Sequence, residues 1–248
     1  MTKPESVPVE RIVAYSRCSE MYRLLHVEEV PTPVRVGECF AGALWAVLKR
    51  VLADGIELQE ACELYEADYG ERVLGADITS STHLNVFLEV GRKFLAAFIM
   101  VERISIGVCK VDVPLDAELP RYSGVEPMRV SCTVPIMETS LLTWLRPRRN
   151  RYWFRLAYND LEAMLGAVLT GYSNISTMTF SLRTGTIQRW RITLDAGRKC
   201  WAARLAYDMR KGVQRGDFRR CDPDSWVCQQ AVCLCWRHCR GKVERRRR

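Results

Sequence analysis

A cluster of cysteines near the C-terminal end constrains this chain more than any other feature. Five of the 11 cysteines fall within residues 221–239, which read C-D-P-D-S-W-V-C-Q-Q-A-V-C-L-C-W-R-H-C. In a reducing compartment, clustered thiols more often hold a metal than form disulfides, because soft thiolates suit zinc and iron–sulfur centres. Cys228, Cys233 and Cys239 are spaced C-x4-C-x5-C, unlike the paired C-x2-C of a zinc ribbon. The cluster predicts a thiolate site that needs a fourth ligand, with a metal-free cysteine-rich tail as the alternative.

Composition and charge narrow the class of protein. With 248 residues, 48% hydrophobic and 27% charged, the chain is typical of a globular protein with a sizeable core. Apolar runs are too short to span a bilayer, and residues 1–11 lack the apolar region of a secretory signal, so we expect a cytoplasmic protein that does not enter the membrane. The net charge of +8 favours a polyanionic partner, nucleic acid first. The arginine-rich tail, 240–248, contributes much of that charge and is equally typical of a disordered solubilising segment.

The hydrophobic periodicity changes along the chain and predicts a mixed α/β fold with a helical N-terminal lobe. Helical patterns come first and strand patterns follow, after which the two alternate. The predicted helices are 12–25, 36–52, 58–69, 83–100, 152–169 and 196–211, and the predicted strands are 104–113, 128–137, 141–145, 175–182 and 187–194.

The same pattern predicts one domain between two tails. We expect a flexible leader over residues 1–11, a single domain over 12–239 and a basic tail over 240–248. Within the domain the helical lobe covers about 12–100, the core about 101–211 and the cysteine-rich knot 221–239.

The landmarks along residues 12–239 follow a characteristic order. A lone cysteine lies in the helix Y-S-R-C-S-E-M-Y-R-L, and Gly37 to Ala41 match part of a helical G-x-x-x-H. Core strands, a helix, a hairpin and a terminal trio of cysteines near Trp226 follow. This order resembles the RecB-like branch of the PD-(D/E)XK nucleases, which includes the CRISPR-associated RecB-type exonucleases.

The resemblance implies a fold, a cofactor and a ligand set. It implies a restriction-endonuclease-like core sheet flanked by helices. It also implies that Cys18 joins Cys228, Cys233 and Cys239 around a 4Fe-4S cluster, with structural zinc as the alternative. The other interpretation of Cys18 is a small buried core residue. Cys221 and Cys235 have no assigned role.

The chain departs from the family where catalysis should occur. Ala41 occupies the position of the helical histidine, and the strand 128–134 has no acid. The (D/E)-x-K motif is reduced to Glu138-Thr139-Ser140, and Arg155 replaces a glutamine. Because Mg²⁺ or Mn²⁺ needs several hard oxygen ligands to activate water, Glu138 alone would hold the ion weakly.

Two interpretations of the acidic residues stay open. Glu138 is either a residual catalytic ligand or an ordinary surface carboxylate at a strand end. Alternatively, if the register is wrong, Asp112, Asp116 or Glu126 supplies the missing acid.

A basic and aromatic stretch follows the presumed catalytic strands. Arginines in such a loop can pair with phosphates and aromatic rings can stack on unpaired bases, although a merely solvated loop would look the same. The predicted DNA contacts are Arg146, Arg148, Arg149, Arg151, Tyr152 and Trp153.

Three hypotheses for function result. The first is a catalytically degenerate nuclease-like protein that binds single-stranded DNA or DNA ends, with protein partners in a DNA-processing complex. The second is an active Mg/Mn-dependent DNA exonuclease. The third is a non-enzymatic, zinc-stabilised scaffold or adaptor.

Overall fold

The computed structural model describes most of the chain. The described residues are 6–32, 34–76, 81–120, 127–148, 160–181, 186–221, 228, 233 and 235–239. Among the described helices, none is both long and apolar enough to cross a membrane. The helices are α1 (Val9–Arg17), α2 (Ser19–His26), α3 (Val36–Ala53), α4 (Leu58–Val73), α5 (Ser81–Ala97), a π-helical turn (Phe98–Glu102), α6 (Arg103–Ser105), α7 (Leu161–Thr170), α8 (Ala196–Gln214) and α9 (Trp236–Cys239). The strands are β1 (Val7–Pro8), β2 (Lys110–Glu118), β3 (Arg129–Met137), β4 (Leu142–Arg148), β5 (Asn174–Ser181) and β6 (Ile187–Thr193).

The six strands form one mixed sheet in which β3 has three partners. On one edge, β3 pairs antiparallel with the whole of β2. The other edge is shared between β1, which runs parallel to the start of β3, and β4, which runs antiparallel to its end. Beyond β4 the sheet continues through a parallel pairing to β5 and an antiparallel hairpin to β6.

Helices cover both faces of the sheet. Helices α1, α7 and α8 pack on one face around the fully buried Trp144 of β4. Helices α3, α4 and α5 pack on the other face, where Met178 and Phe180 of β5 contribute to the second core. The mixed α/β fold with flanking helices predicted from the sequence is therefore confirmed.

The N-terminal segment is more ordered than its composition predicted. Val7 and Pro8 pair with β3, and α1 begins at Val9, so structure starts inside the predicted leader. Val9 is completely buried, because apolar contact with the sheet outweighs the polar character of its neighbours. The single predicted helix over 12–25 is split at Cys18, whose backbone is extended (φ −164°, ψ 107°).

The predicted strand over 104–113 begins too early. The π-helical turn and α6 occupy residues 98–105, and β2 starts only at Lys110. It then continues through Pro114 to Glu118, beyond the predicted end at residue 113. Proline lacks a backbone donor but is tolerated here, because β2 pairs only with β3 among the described strands and so forms a sheet edge.

A close approach of α7 to the sheet depends on a glycine. A Cβ atom added to Gly166 would lie 2.7 Å from Cη2 and 2.8 Å from Cζ2 of Trp144. Because the Trp144 ring is completely buried, it has no space into which to move. Gly166 therefore sets how closely α7 can pack against β4.

We expect Gly166→Ala to destabilise the protein by about 1–3 kcal/mol, because an extra methyl group overpacks the core at Trp144. Gly70→Ala in α4 is the matched control, since a Cβ there meets nothing within 4 Å. That control should stabilise the protein by about 0.5–1 kcal/mol through helix propensity. Urea unfolding measures both, and equal effects at the two positions would contradict the packing argument.

Candidate functional site

Ala41, which aligns with the helical histidine of the nuclease family that the sequence resembles, lines an apolar cavity. This cavity of about 210 Å³ is lined by Ala41, Leu44, Trp45, Leu48, Pro135, Leu145 and Phe180. It lies between α3 and the sheet, next to the point where β3 passes through Pro135. Among the described residues that line it, none carries a carboxylate or an imidazole. A divalent cation would therefore find no oxygen ligand from these side chains.

Glu138 lies elsewhere and is already paired. Its carboxylate accepts a 2.6 Å hydrogen bond from the guanidinium of Arg189 on β6, and the Thr143 hydroxyl lies 3.4 Å away. The Glu138 and Arg189 side chains are only 16% and 9% exposed. Arg189 also donates to the hydroxyls of Ser176 and Ser105. Glu138 is thus neither an exposed surface carboxylate nor a neighbour of the Ala41 cavity.

The alternative acids are also held by neighbouring side chains. Asp112 accepts a hydrogen bond from the Trp45 indole at 2.9 Å and forms an ion pair with Lys49 at 2.9 Å. Asp116 forms an ion pair with Arg129 at 3.0 Å. Glu126 lies outside the described residues. Neither described acid joins Glu138 in a shared site.

The basic loop is described only at its start. The guanidinium of Arg146 binds Asp160 at 2.7 Å and Glu162 at 2.8 Å. These two carboxylates raise the pKa of Arg146 above its ordinary value, against the opposing effect of its burial. Arg146 is therefore committed to holding β4 against the start of α7. Arg148 ends β4, and the predicted contacts Arg149, Arg151, Tyr152 and Trp153 lie outside the described residues.

Residues 15–20 and residues 217–221, which are far apart in sequence, meet beside Cys18. The amide of Arg219 donates to the Ser19 hydroxyl at 2.7 Å, and the Arg219 carbonyl accepts from the Glu20 amide at 3.1 Å. The Tyr15 hydroxyl donates to the Asp217 carbonyl at 2.9 Å. These contacts hold the segment after α8 against α1 and α2. They bring Cys221 to Cys18, although about 200 residues separate the two.

Six thiols gather at this junction, and none of them forms a disulfide in the structure. Cys221 shares hydrogen bonds with Cys18 and Cys228, and burial together with these bonds raises its pKa to about 12. Cys233, Cys235 and Cys239 pack around the buried Leu24 of α2. Burial also raises the pKa of Cys235 to about 11.

These thiols suit a soft metal chemically. Among the described residues, no three His, Cys, Asp or Glu side chains are placed to hold a metal ion. The 4Fe-4S or zinc site remains a prediction.

The chain matches no protein-family model and no curated protein sequence. It resembles the crystal structure of SSO0001, with 12% sequence identity and a TM-score of 0.51 over 98% of this chain and 89% of that one. An alkaline exonuclease, LHK-Exo, from Laribacter hongkongensis shows 13% identity and a TM-score of 0.31 over 72% of this chain and 95% of that one. The first likeness shows a shared fold, whereas the second superposition is too loose to define one.

Three residues central to these arrangements were missed or left without a role in the sequence analysis: Arg189, Cys221 and Asp160. Arg189 lies in β6, where the alternation of apolar and polar residues predicts a half-buried strand but does not identify Glu138 as a partner. Cys221 was noticed within the cluster but left without a role. Asp160 shows a clear local signal, since an aspartate directly before an apolar helix predicts a helix cap, and its side chain does accept from the Ala163 amide at 3.3 Å.

We expect Glu138→Ala to destabilise the protein by about 2–3 kcal/mol, because Arg189 would keep a buried charge without its carboxylate. Glu60→Ala serves as the control, since the Arg50–Glu60 pair is about half exposed and should contribute less than about 0.5 kcal/mol. Urea unfolding of both variants tests the assignment. Unchanged stability of Glu138→Ala would show that this ion pair is not structural.

Proposed function

We propose that this protein is a nuclease-like nucleic-acid-binding protein that does not hydrolyse its substrate. The observation that carries the proposal is the apolar lining of the cavity at Ala41, together with the pairing of Glu138 by Arg189. The order of sequence landmarks supports the nuclease-like part, and the mixed sheet with helices on both faces is compatible with it.

The loss of hydrolysis follows from the chemistry of phosphodiester cleavage. A metal-dependent nuclease needs carboxylates that fix a divalent cation, which then activates water and neutralises charge at phosphorus. Here the cavity presents Ala41, Pro135 and Leu145, none of which can ligate a cation. Ser140, in place of the family's lysine, carries no charge to orient or polarise the attacking water.

The nucleic-acid part rests on charge. A net charge of +8 attracts polyanions, and phosphate neutralisation dominates nucleic-acid affinity. The engagement of Arg146 by two acids leaves Arg148, Arg149, Arg151, Tyr152 and Trp153 as the contacts we propose for single-stranded DNA or DNA ends.

We expect the purified protein to release no acid-soluble nucleotides from single- or double-stranded DNA with Mg²⁺ or Mn²⁺. The reason is that the described residues lining the cavity at Ala41 include no cation ligand. Robust metal-dependent degradation that Glu138→Ala abolishes would instead identify an active nuclease. If Asp112→Asn abolished the degradation, the alignment of this sequence with the family's catalytic motif would be wrong.

Binding to single-stranded DNA should weaken with salt, with a log–log slope of about −0.7 per phosphate contact. Replacing Arg148, Arg149 and Arg151 with glutamine should flatten that slope by about two units if each contacts one phosphate. Arg146 must be left unchanged, because its loss would leave the carboxylates of Asp160 and Glu162 without their ion-pair partner. Fluorescence anisotropy over a salt series measures the effect.

A variant of the arginine tail is compared with the variant of the loop. Replacing Arg245 to Arg248 with glutamine in the full chain separates nonspecific attraction by the tail from contact by the loop. If only the tail variant loses binding, the tail is the contact and the loop is solvated. If the full protein shows no salt-sensitive binding at all, the nucleic-acid assignment is wrong.

A further inference from the structure

Most of the net positive charge of the chain comes from two segments, one of which is α8 with the residues that follow it. Residues 196–220 contain eight Lys or Arg and two Asp, a net charge of +6. The tail, 240–248, contributes +5. Because the whole chain carries only +8, the remaining residues together are net acidic. A polyanion is therefore attracted mainly to α8 and the tail.

One side of α8 is exposed and basic. Arg204, Lys211 and Arg215 are all exposed, and their spacings of seven and four residues place them on the same side of the helix. With a rise of about 1.5 Å per residue, they span about 16 Å along the helix axis. Arg204 lies 3.8 Å from Asp208, but both side chains are more than half exposed, so the pair neutralises Arg204 only weakly. These three residues form the basic face of α8.

An exposed tryptophan adjoins the basic face. Trp201 lies one turn before Arg204 and is 45% exposed. It also lines an open cavity of about 1050 Å³ between α1 and α8, together with Leu205 and Met209 of the same helix. Trp201 therefore lies between the basic face and the cavity. An aromatic ring beside a row of cations is the arrangement that binds unpaired nucleic acid, because bases stack on the ring while phosphates contact the cations.

The cavity beside Trp201 also adjoins the basic loop. Its lining includes Arg146 of β4 and Asp160, which caps α7. β4 ends at Arg148 and α7 begins at Leu161, so the described residues on both sides of the loop lie close to this cavity. A strand that contacts the loop can therefore continue to α8 on the same side of the sheet.

The charge of the cavity suits a base better than a phosphate. The described residues that line it include four arginines and four acidic side chains, so their charges cancel. Two of the acids, Asp160 and Glu162, are already bound by Arg146. An uncharged base can enter without repulsion, whereas phosphates are attracted to the basic face outside. The cavity volume is at the upper end of the range of small-molecule sites, which leaves room for a base.

From this geometry we propose that α8 is a second contact surface for single-stranded nucleic acid. An unpaired base stacks on Trp201 at the mouth of the cavity, and the phosphates lie along Arg204, Lys211 and Arg215. Bases in a duplex are stacked on one another and cannot reach Trp201, so the surface favours an unpaired strand. This assignment rests on the proposed binding of nucleic acid and adds a surface separate from the loop and the tail.

We expect Trp201→Ala in the full-length protein to weaken binding of a fluorescein-labelled, single-stranded oligothymidylate roughly 5- to 100-fold, through loss of one base–aromatic stack. Binding of a duplex of the same length should change less than about twofold. Trp201→Phe should retain most of the affinity, because a phenyl ring still stacks. The oligothymidylate should also quench tryptophan emission of the unaltered protein, and Trp201→Phe should remove that part of the quench. Fluorescence anisotropy and emission measure these effects, and urea unfolding checks that each variant is folded.

The basic face is tested by a triple glutamine variant of Arg204, Lys211 and Arg215. It should flatten the log–log salt slope of oligothymidylate binding by about two units if each side chain contacts one phosphate. The matched control removes the same charge from exposed positions on α3 and α5, which cover the other face of the sheet. It replaces Arg50, Arg92 and Lys93 with glutamine. The control should leave the slope nearly unchanged.

Several outcomes would overturn the assignment. Equal flattening by the two triple variants would show that only net charge matters. Equal weakening of single-stranded and duplex binding by Trp201→Ala would exclude stacking. Salt-sensitive binding that is unaffected by either α8 variant, but lost in the loop or tail variant, would reject this surface and leave the proposed function intact. Absence of any salt-sensitive binding would reject both.

Discussion

Strand β3 makes backbone hydrogen bonds to three other strands, and both hydrophobic cores depend on that pairing. Its start holds β1, its end holds β4, and its other edge carries β2 along its whole length. Because a one-residue slip would exchange the faces of a strand, the register of β3 determines which side chains enter each core. The strand passes through Pro135, opposite Asp112, which has a positive φ of 50°. Near this irregularity Val134 packs in one core and Ile136 in the other.

The position of β3 also explains the chemical character of the two sites where catalysis was considered. Pro135 lines a cavity together with Ala41 of α3 and Leu145 of β4, so the cavity there is apolar. Glu138, just after β3, instead meets Arg189 across the sheet. The mixed sheet is thus compatible with the proposed protein, which binds nucleic acid without cleaving it.

The junction between residues 15–20 and residues 217–221 depends on a different feature of the backbone. The extended backbone at Cys18 interrupts a helix, and the interruption allows the segment after α8 to bind at Ser19 and Glu20. The thiols gather around this contact because both segments pass through it. Cys18, Cys221 and Cys228 are close enough to interact electrostatically, and Cys233, Cys235 and Cys239 pack beside Leu24 of α2.

Local patterns in the sequence determined most of the secondary structure. Helix α3, the hairpin of β5 and β6, and α8 agree with the hydrophobic periodicity to within a few residues. The errors arose where tertiary contact outweighs local preference, as at Val9, which the sheet buries inside a polar leader, and at Pro114, which an edge strand tolerates. The cysteine cluster was evident from spacing alone.

Only the tertiary structure decided which side chains became partners. Glu138 and its partner Arg189 are 51 residues apart along the chain, and Arg146 and its partner Asp160 are 14 apart. Cys18 and Cys221 are about 200 residues apart. A sequence records the types of residue that can pair, but strand register and helix docking select among many candidates. Thiol chemistry and a basic charge could therefore be deduced from the sequence. The apolar cavity at Ala41, the buried ion pair of Glu138 and the contact of Cys18 with Cys221 depend on packing of distant segments around β3.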